Sequence, residues 1–233
     1  MQTHQHFETG QNSACSNRRP HRWGLAAPQG VLQVGASYGQ EMNEFIANGI
    51  SAGVFIEPLL EPYKHLSSLC VQRPNFVAVN TLCTDESGKT YTFHLASNGG
   101  QSSSILKPAR HLSEFDYVKF AGTVQLVSNT LDQVLEFLRS NGQAQVVGAL
   151  DLLYVDTQGA ELKILMGANR SLKGIKYIYT EIMRADLFEG QAPFLQFCNY
   201  LDAIGYTLNN MYFNAHHAGD APFISKDLLG IKH

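Results

Sequence analysis

The sequence predicts an α/β domain built on a mostly parallel sheet that closes with an antiparallel hairpin. Two observations predict it. Short apolar runs ending in Gly, Asp, Glu or Asn alternate with longer stretches of helical spacing from residue 30 onward. This strand–helix rhythm implies right-handed crossovers and parallel pairing. The last two strands, residues 206–213 and 222–225, are joined by a connection with no helical pattern, so they read as a hairpin.

The elements follow in order. Residues 31–35 (VLQVG) read as the first strand. Residues 39–48 read as a helix with Met42, Phe45 and Ile46 on one face, stopped by Gly49. Residues 53–57 (GVFIE) form the second strand, 59–70 a second helix, and 75–83 (NFVAVNTLC) a third strand. Residues 90–96 (TYTFHLA) alternate and read as an extra strand. The polar stretch 97–104 (SNGGQSSS) lies between regular elements, where loops of α/β enzymes often border the site. Residues 129–138 read as a helix capped near Asn129 or Thr130. The fourth strand is 151–156 (DLLYVD), followed by a helix over 159–168, a fifth strand over 174–182 (GIKYIYTEI) and a helix over 194–204.

The 233 residues suit one domain, read as 30–233, with a polar N-terminal extension over 1–29. That extension lacks the apolar centre of a signal peptide, and no run approaches the length that spans a bilayer. A formal charge of −3 supplies no field to concentrate nucleic acid or an anionic membrane. The four cysteines, Cys15, Cys70, Cys83 and Cys198, form no CxxC pair and read as reduced thiols, as expected of a cytoplasmic protein. His94 reads as structural. His216 and His217 have no partner at metal-ligand spacing.

Three places carry chemistry. At 31–39 (VLQVGASYG), a strand runs into Gly35, Ala36, Ser37 and Gly39 before a helix opens. Small residues there let a backbone approach a ligand, and free N–H groups at the helix start suit a carboxylate or a phosphate. Glu57 lies 22 residues beyond Gly35, at the end of the second strand, where an acid accepts ribose hydroxyls. A GxGxxG pattern counted from Gly35 would need glycines where Ser37 and Gln40 stand, which disfavours a dinucleotide pyrophosphate. Third, Asp156 ends the fourth strand in DTQGAE. A carboxylate there serves as a base or metal ligand, or simply caps the next helix. Glu161 reads first as a partner of the helix dipole. Glu181 ends the fifth strand and reaches for the same crevice, or forms a surface ion pair.

Taken together, VLQVGASYG at 31–39, FIEP at 55–58, NTLD at 129–132 and LLYVDTQGAELKILMGA at 152–168 resemble the FkbM family of methyltransferases. The resemblance covers roughly residues 30 to 226. It implies the class I methyltransferase fold: Rossmann-like, with a seven-stranded sheet and a final antiparallel hairpin. It also implies S-adenosylmethionine as cofactor and O-methylation of a sugar or other small natural product. Carried over, Gln33, Gly35, Ala36, Ser37, Gly39, Glu57, Pro58 and Asn80 are the candidate cofactor contacts. Asp156 and Glu181 are the candidate catalytic groups. A divalent metal stays open as a second source of activation. The family commonly reads Asp-Val-Gly-Ala-Asn, whereas Gln33 and Ser37 stand here. Gln33 thus keeps a polar group but loses a charge near the cofactor's ammonium. The competing expectations are an NAD(P)-dependent oxidoreductase and a catalytically silent module of the same fold.

Overall fold

A computed structural model describes residues 28–183, 185–213 and 218–230. The expectations for residues 1–27, Cys15, His216 and His217 lie outside the described residues.

The apolar runs become the sheet. β1 (Gly30–Val34), β2 (Ala52–Ile56) and β7 (Leu152–Val155) are buried along their whole length. They have no solvent face, so they read as continuous apolar runs rather than alternating ones. With β3 (Phe76–Val79) and β8 (Tyr177–Met183) they pair in parallel in the order β3-β2-β1-β7-β8. β11 (Ala218–Ser225) joins β8 antiparallel, and β9 (Tyr206–Leu208) and β10 (Tyr212–Phe213) both pair with β11. The expected last hairpin is therefore present, but its first strand is broken. Residues 209–211 oppose only Ala221 and Pro222 between the two paired stretches, so the edge bulges there. Counting β9 and β10 as one interrupted strand gives the expected seven-stranded, mostly parallel sheet.

Helices cover both faces. α1 (Met42–Ala47) and α2 (Leu60–Val71) pack Met42, Phe45, Leu66 and Cys70 against Val31, Phe55, Phe76 and Leu152. On the other face lie α4 (Leu131–Leu138), α5 (Ala144–Gly148), α6 (Glu161–Met166) and α7 (Phe194–Ala203). They bury Leu135, Val147, Leu165 and Leu201 against Leu32, Val54, Leu153 and Ile178. Thr130 is the N-cap of α4, its hydroxyl accepting the N–H of Gln133, as the sequence suggests.

The structure departs from expectation between β3 and β7. The run expected as one strand over 75–83 turns at Asn80 and Thr81, and its end, β4 (Leu82–Cys83), leaves the main sheet. It pairs with β6 (Phe120–Asn129), which also pairs antiparallel with β5 (Thr90–Ala96). These three strands, with the short α3 (His111–Glu114), form an insert beside the carboxyl ends of the main strands. Gly167 sits against its base: a Cβ there would lie 2.2 Å from the carbonyl oxygen of Thr84, so a side chain would force the insert away from α6.

Candidate functional site

The sheet changes direction of growth between β1 and β7, and in open α/β sheets ligands bind beyond the strand ends at that point. β1 ends in a tight turn. Gly35 takes φ +82°, and a Cβ there would meet the carbonyl oxygen of Asp156 at 2.0 Å. Only glycine permits this approach of two strand ends. Gly35 and Ala36 both donate their N–H groups to the carbonyl of Ile56 at 3.0 Å, tying the turn to the end of β2.

Glu57 follows β2 and is buried. Its two carboxylate oxygens accept the N–H of Ser37 at 2.9 Å and that of Leu59 at 2.8 Å. Burial pushes its carboxyl up to about 7, against the pull of those two bonds. Asn80 donates its amide to the carbonyls of Glu57 and Pro58 at 2.9 and 3.0 Å, fixing the chain around the acid.

These ends border an open cavity of about 570 Å³, counting the space that is continuous with solvent. Gly35, Ser37, Glu57 and Pro58 line one part and Asp156, Thr157 and Gln158 another. Leu59, Leu82, Cys83 and Ile164 provide apolar wall, and the insert contributes Phe93, Gly100, Gln101, Ser103 and Ile105. The polar stretch 97–104 thus reaches the cavity. Burial holds the Cys83 thiol up at about 12, so it is a neutral wall group.

The candidates therefore divide. Gly35, Ser37, Glu57, Pro58 and Asp156 line the cavity; Gln33, Ala36, Gly39 and Asn80 do not. Gln33 is buried and donates to Glu41 at 3.0 Å, while its amide oxygen meets no hydrogen-bond partner among the described residues. Ala36 is buried in the core, and Gly39 lies against Leu66 and Leu69 of α2. Glu181 lines a second, smaller cavity of about 320 Å³ with Gly159, Glu161, Met183 and Phe194 among its walls. The side chain of Gln158 joins the two acids, donating to Asp156 at 3.0 Å and to Glu181 at 2.8 Å.

Two groups escaped sequence reading. Gln158 sits inside DTQGAE but shows nothing in the sequence that separates it from a loop residue. Glu161, expected as a dipole partner, stands in the first turn of α6 and is also buried, accepting the N–H groups of Thr157 and Gly159 at 3.0 Å each. Burial raises its carboxyl to about 7. Among the described residues, no group of three or more His, Cys, Asp and Glu is placed to hold a metal ion.

The residues fit an adenosyl sulfonium cofactor: apolar wall for a base, a buried acid for ribose hydroxyls, and a glycine turn for a carboxylate. Topology and cavity together define a class I methyltransferase domain. The chain matches the family described as the methyltransferase FkbM domain over residues 33–208, about three quarters of its length, and belongs to that family. It is a methyltransferase that uses S-adenosylmethionine. A 2-O-methyltransferase, NoeI of Sinorhizobium fredii (strain NBRC 101917 / NGR234), is 27% identical over 175 residues, 70% of this chain and 67% of that protein. Among solved structures, the putative tRNA (m1A22) methyltransferase Sp1610 of Streptococcus pneumoniae, in complex with S-adenosyl-L-methionine, is similar at 12% identity and TM-score 0.43. The match covers 89% of this chain and 73% of that one. The Methanococcus jannaschii fibrillarin pre-rRNA processing protein is similar at 15% identity and TM-score 0.46, over 85% and 67%. The expectation of a nicotinamide-dependent oxidoreductase gives way to the family.

Proposed function

We propose that the protein O-methylates a hydroxyl of a small acceptor, a sugar or another natural product, with Asp156 as the base. The observation that carries this reading is the placement of Asp156. It stands at the end of β7, one strand from the glycine turn and two from Glu57, and lines the same cavity as both.

The cofactor supplies the methyl electrophile and the leaving group when bound. The chain does the rest. Glu57 accepts ribose hydroxyls on the lone pairs that Ser37 and Leu59 leave free. The turn at Gly35–Ser37 receives the amino-acid end. Pro58, Leu59, Leu82 and Ile164 exclude water from the base. Asp156 takes the proton of the acceptor hydroxyl as that oxygen bonds to the methyl group, since a neutral alcohol is a poor nucleophile. The 2-O-methyltransferase relative supports oxygen as the atom modified. The three described cysteines are free thiols, which supports the cytoplasm as the compartment.

The test is methyl transfer from radiolabelled S-adenosylmethionine to a panel of methyl glycosides and hydroxylated aromatics, with RNA alongside. The expected product is an O-methyl ether, lost about 100-fold or more in Asp156→Asn while cofactor affinity stays within a few-fold. Label found on nitrogen or on RNA would overturn the acceptor class, and full activity of Asp156→Asn would remove the base.

A further inference from the structure

We propose that Gln158 is a positioning residue for methyl transfer, its side-chain amide clamping Asp156 so that the carboxylate faces the cavity that takes the sulfonium. The proposal rests on the cofactor reading above.

The need for such a clamp comes from the sheet. Val155 pairs with Thr180, so Asp156 and Glu181 stand side by side one step beyond the last paired residues of two parallel strands. Two neighbouring carboxylates repel, so a donor placed between them lowers the cost of keeping them together. The amide nitrogen of Gln158 lies between them, 3.0 Å from Asp156 Oδ1 and 2.8 Å from Glu181 Oε2. One amide NH₂ has two protons, so it donates to both acceptors at once.

The backbone is built to aim that amide. Gln158 takes φ +57°, a region that residues other than glycine seldom adopt. Two groups hold it there. Glu161 Oε1 accepts the N–H of Thr157 and the N–H of Gly159 at 3.0 Å each, and the Thr157 hydroxyl at 3.2 Å. From the insert, the Ser104 hydroxyl donates to the Gln158 carbonyl at 2.8 Å. A buried acid and an insert serine thus fix the main chain on either side of one residue, leaving its side chain to bridge the two carboxylates. An unfavourable backbone conformation maintained by this many contacts marks a residue kept for its position.

Calorimetry with S-adenosylmethionine and S-adenosylhomocysteine reads the clamp without knowledge of the acceptor. The two ligands differ by a methyl group and a positive charge, so a carboxylate held at the sulfonium favours the first. Gln158→Gly removes the amide and suits the backbone conformation, so folding is preserved. We expect Gln158→Gly to lower the preference for S-adenosylmethionine over S-adenosylhomocysteine by about threefold. Affinity for S-adenosylhomocysteine should stay within about twofold, and the melting temperature should not fall. Asp156→Asn should lower the preference alike, and the double variant should do no more than Asp156→Asn alone, because both remove one interaction. An unchanged preference, an equal loss of affinity for both ligands, or additive effects in the double variant would overturn the proposal. Wild-type protein that binds neither ligand would overturn the cofactor reading and this proposal with it.

Discussion

Glu57 and Glu161 are two buried carboxyls, one on the larger cavity and one on the smaller, and burial raises both to about 7. An acid whose folded value lies above its unfolded value binds more protons when folded. Their contribution to stability is then greatest at low pH and falls as pH rises between about 4.5 and about 7. Replacing both with Gln should flatten the dependence of melting temperature on pH across that window; an unaltered slope would show that neither acid is responsible. With Glu57 in its proposed role as acceptor of ribose hydroxyls, cofactor binding should tighten as pH rises through about 7, with proton release detectable in buffers of different ionisation enthalpy. Glu57→Ala should weaken S-adenosylhomocysteine binding by about tenfold or more, measured calorimetrically. Normal affinity would reject its role. At this scale the sequence was informative about Gly35, Ser37, Glu57 and Asp156, because a strand end followed by a small or acidic residue carries its own positional meaning. It was uninformative about Gln158, whose partner Glu181 lies 23 residues away and is brought close only by the pairing of β7 with β8.

Legibility at the level of elements follows burial. β1, β2 and β7 declare themselves because every residue is apolar or buried. β6 does not: half of FAGTVQLVSN is exposed and only Ser128 is buried, and the strand pairs with β5 on one side and β4 on the other. A run of half-polar residues without a core face gives no period to read. The turn between β3 and β4 is hidden for the opposite reason, since apolar residues flank Asn80 and Thr81 on both sides. α5 is likewise missed, being short and separated from α4 by a kink where Gly142 takes φ +85°. Elements with a wholly buried strand should be the least forgiving. Leu153→Ala in β7 should cost about 2–5 kcal/mol in chemical denaturation. Thr130→Ala at the start of α4 should cost about 1 kcal/mol, since it removes one cap. A cost near zero at Leu153 would mean the core relaxes around the gap.

As a whole the molecule is three layers plus an insert that supplies one wall of the ligand cavity. Two packed clusters on opposite faces of one sheet tie the layers together, so ligand bound at the strand ends should stabilise the entire domain. S-adenosylhomocysteine at about 100 times its dissociation constant should add about 2.7 kcal/mol, a rise of roughly 5–10 °C in melting temperature. NAD should add nothing, and a rise with NAD alone would contradict the family assignment. The wall residue Cys83 has a consequence for the opening of the molecule. Its thiol is buried and protonated, at the junction of the main sheet and the insert. A maleimide reaches it through the cavity it walls or when the insert lifts away, so the labelling rate at Cys83 reads how open that wall is, and bound ligand should slow it.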